Sequence, residues 1–141
     1  MQEILDLSSF ERAIKQLENS LSYYYSDNVQ RDIGLVMQLR AAAIQAFEFT
    51  YELSIKMIRR YLKMIAANPA SIDQLSFTDL IRAASDKELL LSDLVKWKRY
   101  RQERGTTSHT YNPEKAIEIF DELPGFLKEV RYLLNQLHQR F

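Results

Sequence analysis

Two histidines occur in this 141-residue chain, and one of them, His109, stands in the polar run Arg104-Gly105-Thr106-Thr107-Ser108-His109-Thr110-Tyr111. An arginine can grip a phosphate through two parallel N–H donors and stabilise charge that develops on it. A histidine near its reference pKa of about 6.5 can take or give a proton at neutral pH. Together Arg104 and His109 have the chemistry to cleave RNA without a metal, His109 abstracting the 2′-hydroxyl proton and Arg104 stabilising the pentavalent phosphorane. One imidazole cannot be base and acid at once, so the reaction calls for a homodimer whose loops face each other across a two-fold axis. The simpler reading, in which His109 caps a helix or makes a loop hydrogen bond, stays open on residue types alone. The other histidine, His138 beside Gln139 and Arg140, reads as a solvated residue in a last helical turn.

Before the loop lies Lys96-Trp97-Lys98-Arg99-Tyr100-Arg101-Gln102-Glu103-Arg104, five basic residues against one acid. Lys96, Lys98, Arg99 and Arg101 can hold phosphates, with Trp97 and Tyr100 stacking on bases. The alternative is that the basic residues favour a helix C-terminus while the two aromatics, three apart, face a core. Nothing points to a cofactor. There is no cysteine, no HExxH, no Glu-x-x-His pair and no carboxylate constellation to hold a metal, and no glycine-rich loop to cradle a nucleotide.

The elements that must position these residues read as helices throughout, since no window sustains period-two alternation. Ser8-Ser9-Phe10-Glu11 has the form of a capping box, and Phe10, Ala13, Ile14, Leu17 and Leu21 recur at helical spacing, predicting a first helix from about Ser9 to Tyr25. After a polar turn, Ser26-Asp27-Asn28, a proline-free segment from Arg31 to Ala67 carries Ile33, Met37, Ile44, Phe47, Tyr51, Ile55, Ile58, Leu62 and Ile65 near one face. At 1.5 Å per residue it spans about 50 Å, the spine of a bundle. Its charges, Glu48, Glu52, Lys56, Arg59, Arg60 and Lys63, form a stripe read as solvated, with Glu52 and Lys56 ordered for an i,i+4 pair.

Asn68-Pro69-Ala70-Ser71 ends the spine. Ser76-Phe77-Thr78-Asp79 opens a third helix through about Glu88, Leu89 to Arg104 forms a fourth after a break near Ser92, and Asn112-Pro113-Glu114 starts the last, with Pro124 restarting or kinking it. The cluster Tyr23-Tyr24-Tyr25 divides between core and a partner surface in a way the sequence leaves open. The expectation is all-α: one domain over residues 1–141, an antiparallel up-and-down bundle of four to five helices with a long central helix.

Composition agrees. Hydrophobic residues make up 46%, with three glycines and three prolines, as in a compact helical fold. Lys plus Arg and Asp plus Glu are 19 each, so no global field draws in nucleic acid or an anionic membrane, and any such affinity is local. No run approaches the roughly 18 to 20 apolar residues of a membrane span, and the start, MQEILDLSSFER, lacks the parts of a signal peptide, so the expected location is cytoplasmic.

Arg104-x4-His109-x-Tyr111 resembles the RX4-6H-x-Y motif of HEPN domains (higher eukaryotes and prokaryotes nucleotide-binding). Phe47-Glu48-Phe49-Thr50-Tyr51-Glu52-Leu53 and Thr107-Ser108-His109-Thr110-Tyr111 resemble, more specifically, the small bacterial nucleotidyltransferase substrate-binding proteins, over nearly the whole chain. The resemblance implies a helical homodimer encoded beside a minimal nucleotidyltransferase with which it associates. In one view such proteins are non-catalytic, the substrate-binding half of a split enzyme. In the other they are toxins, metal-independent RNases whose dimer interface carries the Arg-His pairs. The nucleotidyltransferase is then the antitoxin, transferring AMP to the motif tyrosine. Carried over, Arg104 takes the phosphate role, His109 the proton-transfer role and Tyr111 that of the modified hydroxyl. AMP there adds bulk and a negative phosphate that exclude RNA. Family members usually carry Asn directly after the motif arginine. Gly105 stands there instead, removing a hydrogen-bonding side chain from the cleft and loosening the backbone.

Overall fold

The computed structural model describes residues 4–107 and 112–140, and no strand forms among the described residues. Four long helices dominate: α1 (Ser8–Tyr24), α3 (Ile33–Ile65), α6 (Leu94–Thr107) and α7 (Pro113–Gln139). The single turns α2 (Asp27–Gln30) and α4 (Pro69–Asp73), with the intermediate α5 (Phe77–Asp86), complete the order. Cross-contacts fix the directions. The Glu18–Arg131 ion pair and the contact of Glu11 with His138 make α1 antiparallel to α7. Phe47 against Phe126, and Arg140 donating to the Tyr61 hydroxyl, make α3 parallel to α7. Trp97 bonded to Glu129 and Arg99 paired with Glu122 make α6 antiparallel to α7. Thus α1 and α6 run one way, α3 and α7 the other, in an up-and-down bundle.

A chain of edge-on aromatic contacts ties three of these helices together. Phe47 meets Phe126 with ring centroids 4.8 Å apart, Phe126 meets Tyr100 at 5.0 Å, and Tyr100 meets Trp97 at 5.8 Å. All four rings are buried, and such geometries add roughly 0.5–1.5 kcal/mol each beyond the area they remove from water. Phe10, Leu17, Ile58, Leu80, Ile81, Val130, Leu133 and Leu137 fill the rest of one continuous core.

Two of the expected helix starts form by their own capping chemistry. The Ser76 hydroxyl accepts from Asp79 N–H at 3.1 Å, and the Asn112 side chain accepts from Glu114 and Lys115 N–H at 3.0 and 3.3 Å, with Pro113 next to it. The spine α3 is capped by Asp32, which accepts from Gly34 and Leu35 N–H.

Elsewhere the structure differs from the pattern. The capping box at Ser8-Glu11 does not form. Both the backbone N–H and the hydroxyl of Ser8 donate to Asp6 Oδ1 (3.0 and 2.6 Å), Ser8 joins the helix, and Glu11 turns to His138. Asp27 opens a helical turn rather than a polar bend. α7 runs uninterrupted through Pro124. Of the cluster at the end of α1, Tyr24 packs against Phe120 while Tyr23 and Tyr25 stay exposed. Ile33 and Met37, placed on the core stripe by periodicity, are 76% and 51% exposed; they lie on early turns of α3, well before Glu52, which α6 reaches with Arg104 near its own end.

The start of α6 is the most consequential difference. The expected break near Ser92 is present, and the helix begins only after it, at Leu94 rather than Leu89, because Leu91 and Ser92 N–H both donate to Glu129 Oε1 at 3.1 Å. Glu88 just before them adopts a left-handed φ of 61°, and the Asp93 side chain accepts from Lys96 N–H. Glu129 is 1% exposed, and its Oε1 also accepts from the Trp97 indole at 3.0 Å. Replacing Glu129 by Ala leaves the buried Trp97 indole and two part-buried backbone N–H groups without their acceptor, so we expect a loss of roughly 3–5 kcal/mol in urea unfolding. Glu129→Gln, which keeps an acceptor oxygen, is expected to lose clearly less.

Candidate functional site

Trp97, Tyr100 and Arg104 are three and four residues apart, so one face of α6 carries all three. The rings enter the core, and the arginine, one turn further on, arrives where α6 ends against the middle of α3. There its Nη2 pairs with Glu52 Oε1. The Arg104 side chain is 25% exposed and that of Glu52 56%, so the pair sits at the rim of the bundle. α6 continues through Thr107, which places Arg104 and Gly105 in its last turns rather than in a loop. His109 and Tyr111 lie outside the described residues; Asn112, at the N-cap of α7, resumes the chain.

The wall of α3 behind Arg104 is built from the segment 47–54. Phe47 and Tyr51 face the core, and Thr50 and Ser54, both fully buried, are satisfied within the helix by bonds to the Ala46 and Tyr51 carbonyls at 2.7 and 2.6 Å. Burial pushes the Tyr51 phenol up to about 12, against the opposing pull of the Arg101 and Arg104 charges nearby, so it is a neutral hydroxyl at the site. The expected Glu52–Lys56 pair gives way to the tertiary partner: Glu52 reaches across to Arg104.

The basic run preceding the motif does not form one track. Trp97 and Tyr100 are 0% and 1% exposed, so neither can stack on a base; they are core residues. Arg101 lies over the Phe77 ring at 4.7 Å and Lys96 over Tyr100 at 5.7 Å, on different sides of α6. Lys98 and Arg99 line a groove of about 400 Å³ between α6 and the first turns of α7, together with Val95, Gln102, Thr106 and Lys115.

Sequence reasoning missed the acidic pair in that groove. Glu103 and Glu122 stand together with Arg99 paired to both carboxylates. Burial first, then the shared hydrogen bond and repulsion from Glu122, push the Glu103 carboxyl up to about 8, with Arg99 pulling the other way. No local pattern announces this, because the partners come from two helices. Among the described residues no group of His, Asp or Glu could hold a metal ion, and no helix is long and apolar enough to cross a membrane.

Comparison with known proteins agrees with this geometry. Residues 5–139 match the family described as nucleotidyltransferase substrate binding protein like. A protein of Haemophilus influenzae named probable ribonuclease HepT is 39% identical over 132 residues, 94% of this chain and 86% of that one. The solved structure of HI0074 from Haemophilus influenzae, described as having the fold of a substrate binding domain of a nucleotidyltransferase, superposes with a TM-score of 0.86 at 38% identity. It covers 94% of this chain and 99% of the other.

Two predictions follow from the helix end. Glu103 keeps its proton in the folded protein at pH values where the unfolded chain, near 4.5, has lost it. The stability from this source is fully present below about 4.5 and is lost as pH rises through about 8. Thermal midpoints are therefore expected to fall across that interval, and Glu103→Gln to flatten the fall. A Cβ built at Gly105 meets nothing within 4 Å and the residue has no left-handed φ, so Gly105→Ala should gain roughly 0.5–1 kcal/mol in chemical denaturation.

Proposed function

The chain belongs to the nucleotidyltransferase substrate binding protein like family, and from that premise we propose that it is a HEPN-type toxin, a metal-independent endoribonuclease acting as a homodimer in the cytoplasm. The observation that carries the reading is Arg104: its guanidinium is presented at the end of α6, partly exposed and already paired with an anionic group. A phosphodiester offers oxygens of the same geometry and charge. His109 of one copy takes the 2′-hydroxyl proton, the 2′-oxygen attacks phosphorus, and the P–O5′ bond breaks. His109 of the second copy gives a proton to the departing 5′-oxygen. The products are a 2′,3′-cyclic phosphate and a 5′-hydroxyl, and no co-reactant is consumed. Lys98 and Arg99, in the groove leading to the motif, and Lys96 and Arg101 at its flanks, supply charge for the RNA backbone.

Neutralisation falls to a partner nucleotidyltransferase that transfers AMP from ATP to the Tyr111 hydroxyl with release of pyrophosphate. The added phosphate and nucleoside then bar RNA from the cleft by charge and bulk. A second reading, a non-catalytic substrate-binding subunit of a two-component nucleotidyltransferase, is favoured by Gly105, which removes a polar side chain from the position after Arg104.

Cleavage of a labelled RNA in EDTA separates the two. Wild type is expected to cut, and Arg104→Ala and His109→Ala to lose roughly 100-fold or more in rate, the usual cost of removing a proton-transfer or charge-stabilising group. A dimer that binds a nucleotidyltransferase but never cuts RNA would leave the subunit reading standing. Incubation with partner and ATP should add one AMP by intact mass, and none to Tyr111→Phe.

A further inference from the structure

We propose that Glu52 is a positioning residue for Arg104, holding its guanidinium against α3 while the same fork of N–H donors takes a phosphate. The proposal rests on the reading of Arg104 as the phosphate-binding residue. An arginine at a helix end has many rotamers, and a reaction at phosphorus needs one of them. The backbone of Arg104 is set by Trp97 and Tyr100, which anchor the same face of α6. That of Glu52 is set as firmly: it sits within the 33-residue α3, flanked by buried Thr50, Tyr51 and Ser54. Two fixed backbones thus bring a carboxylate and a guanidinium together from positions 52 residues apart in sequence.

What the contact does follows from its exposure. More than half of the Glu52 side chain is open to water, so the pair is screened and adds little to the fold, and a ligand can reach it. A guanidinium carries five N–H donors in a planar fork, so a phosphodiester oxygen can be taken alongside Oε1 without a new arginine rotamer. The carboxylate's own charge also opposes an incoming anion. Glu52 therefore prepares Arg104 for the transition state at some cost in ground-state RNA binding, which predicts that its removal lowers kcat without raising KM.

The test compares wild type, Glu52→Ala, Glu52→Gln, Arg104→Ala and the Glu52→Ala/Arg104→Ala double variant in RNA cleavage, with thermal midpoints and 15N spectra of the Arg104 side chain. Glu52→Ala is expected to lower kcat roughly 10- to 100-fold, the range for losing an orienting partner, with KM unchanged or lower and the thermal midpoint nearly unmoved. Gln, which still accepts a hydrogen bond, should recover much of kcat, and the double variant should be no worse than Arg104→Ala. Unchanged kcat in Glu52→Ala, or a loss that adds to that of Arg104→Ala, would overturn the proposal. If wild type itself does not cut RNA, the ribonuclease reading fails and the spectra decide this one. Resolved guanidinium protons in wild type that merge in Glu52→Ala support it, and identical spectra in the two reject it.

Discussion

One carboxylate oxygen decides where the functional helix begins. Glu129 Oε1 takes the N–H groups of Leu91 and Ser92 and the indole of Trp97, so the chain cannot turn helical before Leu94 and Trp97 must point inward from the first turn. Helical geometry carries the rest. With Trp97 in the core, Tyr100 follows it one turn on, and Arg104 emerges on the same face at the level of α3. The carboxyl group is buried with three donors on one of its oxygens, and such an arrangement is intolerant of partial loss. The electrostatics of the bundle interior and the placement of the site are therefore one problem, solved at one residue of α7.

How far this was legible in the chain depends on the range over which each decision is made. Ser76 and Asn112 cap the helices that follow them because a cap is a matter of three residues, and the residue types suffice. Ser8 looked equally qualified, but Asp6 two residues upstream offers a charged acceptor and takes both its donors. Leu89 was a reasonable start for α6 by local propensity, and it lost to an acceptor 37 to 38 residues further along the chain. Periodicity put Ile33 and Met37 on the core stripe, but in that turn of α3 it is Val36 that is buried. Which turns of a 33-residue helix find a partner is set by the lengths of its neighbours, which periodicity does not encode.

The site divides the same way. The spacing of Arg104, His109 and Tyr111 drew notice because rare residue types stood close together, and Arg104 does reach a rim where an anion can meet it. Glu52 was paired with Lys56 by the i,i+4 rule, yet a tertiary guanidinium, that of Arg104, displaced that weak local pair. The Glu103–Glu122 pair lay outside any pattern, since Glu103 reads as one acid in a basic run until α7 brings a second carboxylate to it. Trp97 and Tyr100 were the ambiguous case, with base stacking and core packing equally consistent with their spacing; the burial of both rings resolves it in favour of the core.

The order of synthesis gives the parallel pairing of α3 with α7 a further meaning. Phe126 is the middle ring between Phe47 and Tyr100, and Glu129 is the acceptor that places Trp97, yet both belong to α7, which leaves the ribosome after the other described helices. A nascent chain that has made α1 through α6 holds Arg104 and Glu52 but lacks the Phe126 ring and the Glu129 acceptor through which α7 joins their helices. Folding of such a bundle waits on contacts of long sequence separation. The packing around Arg104 is thus complete only once α7 has been made.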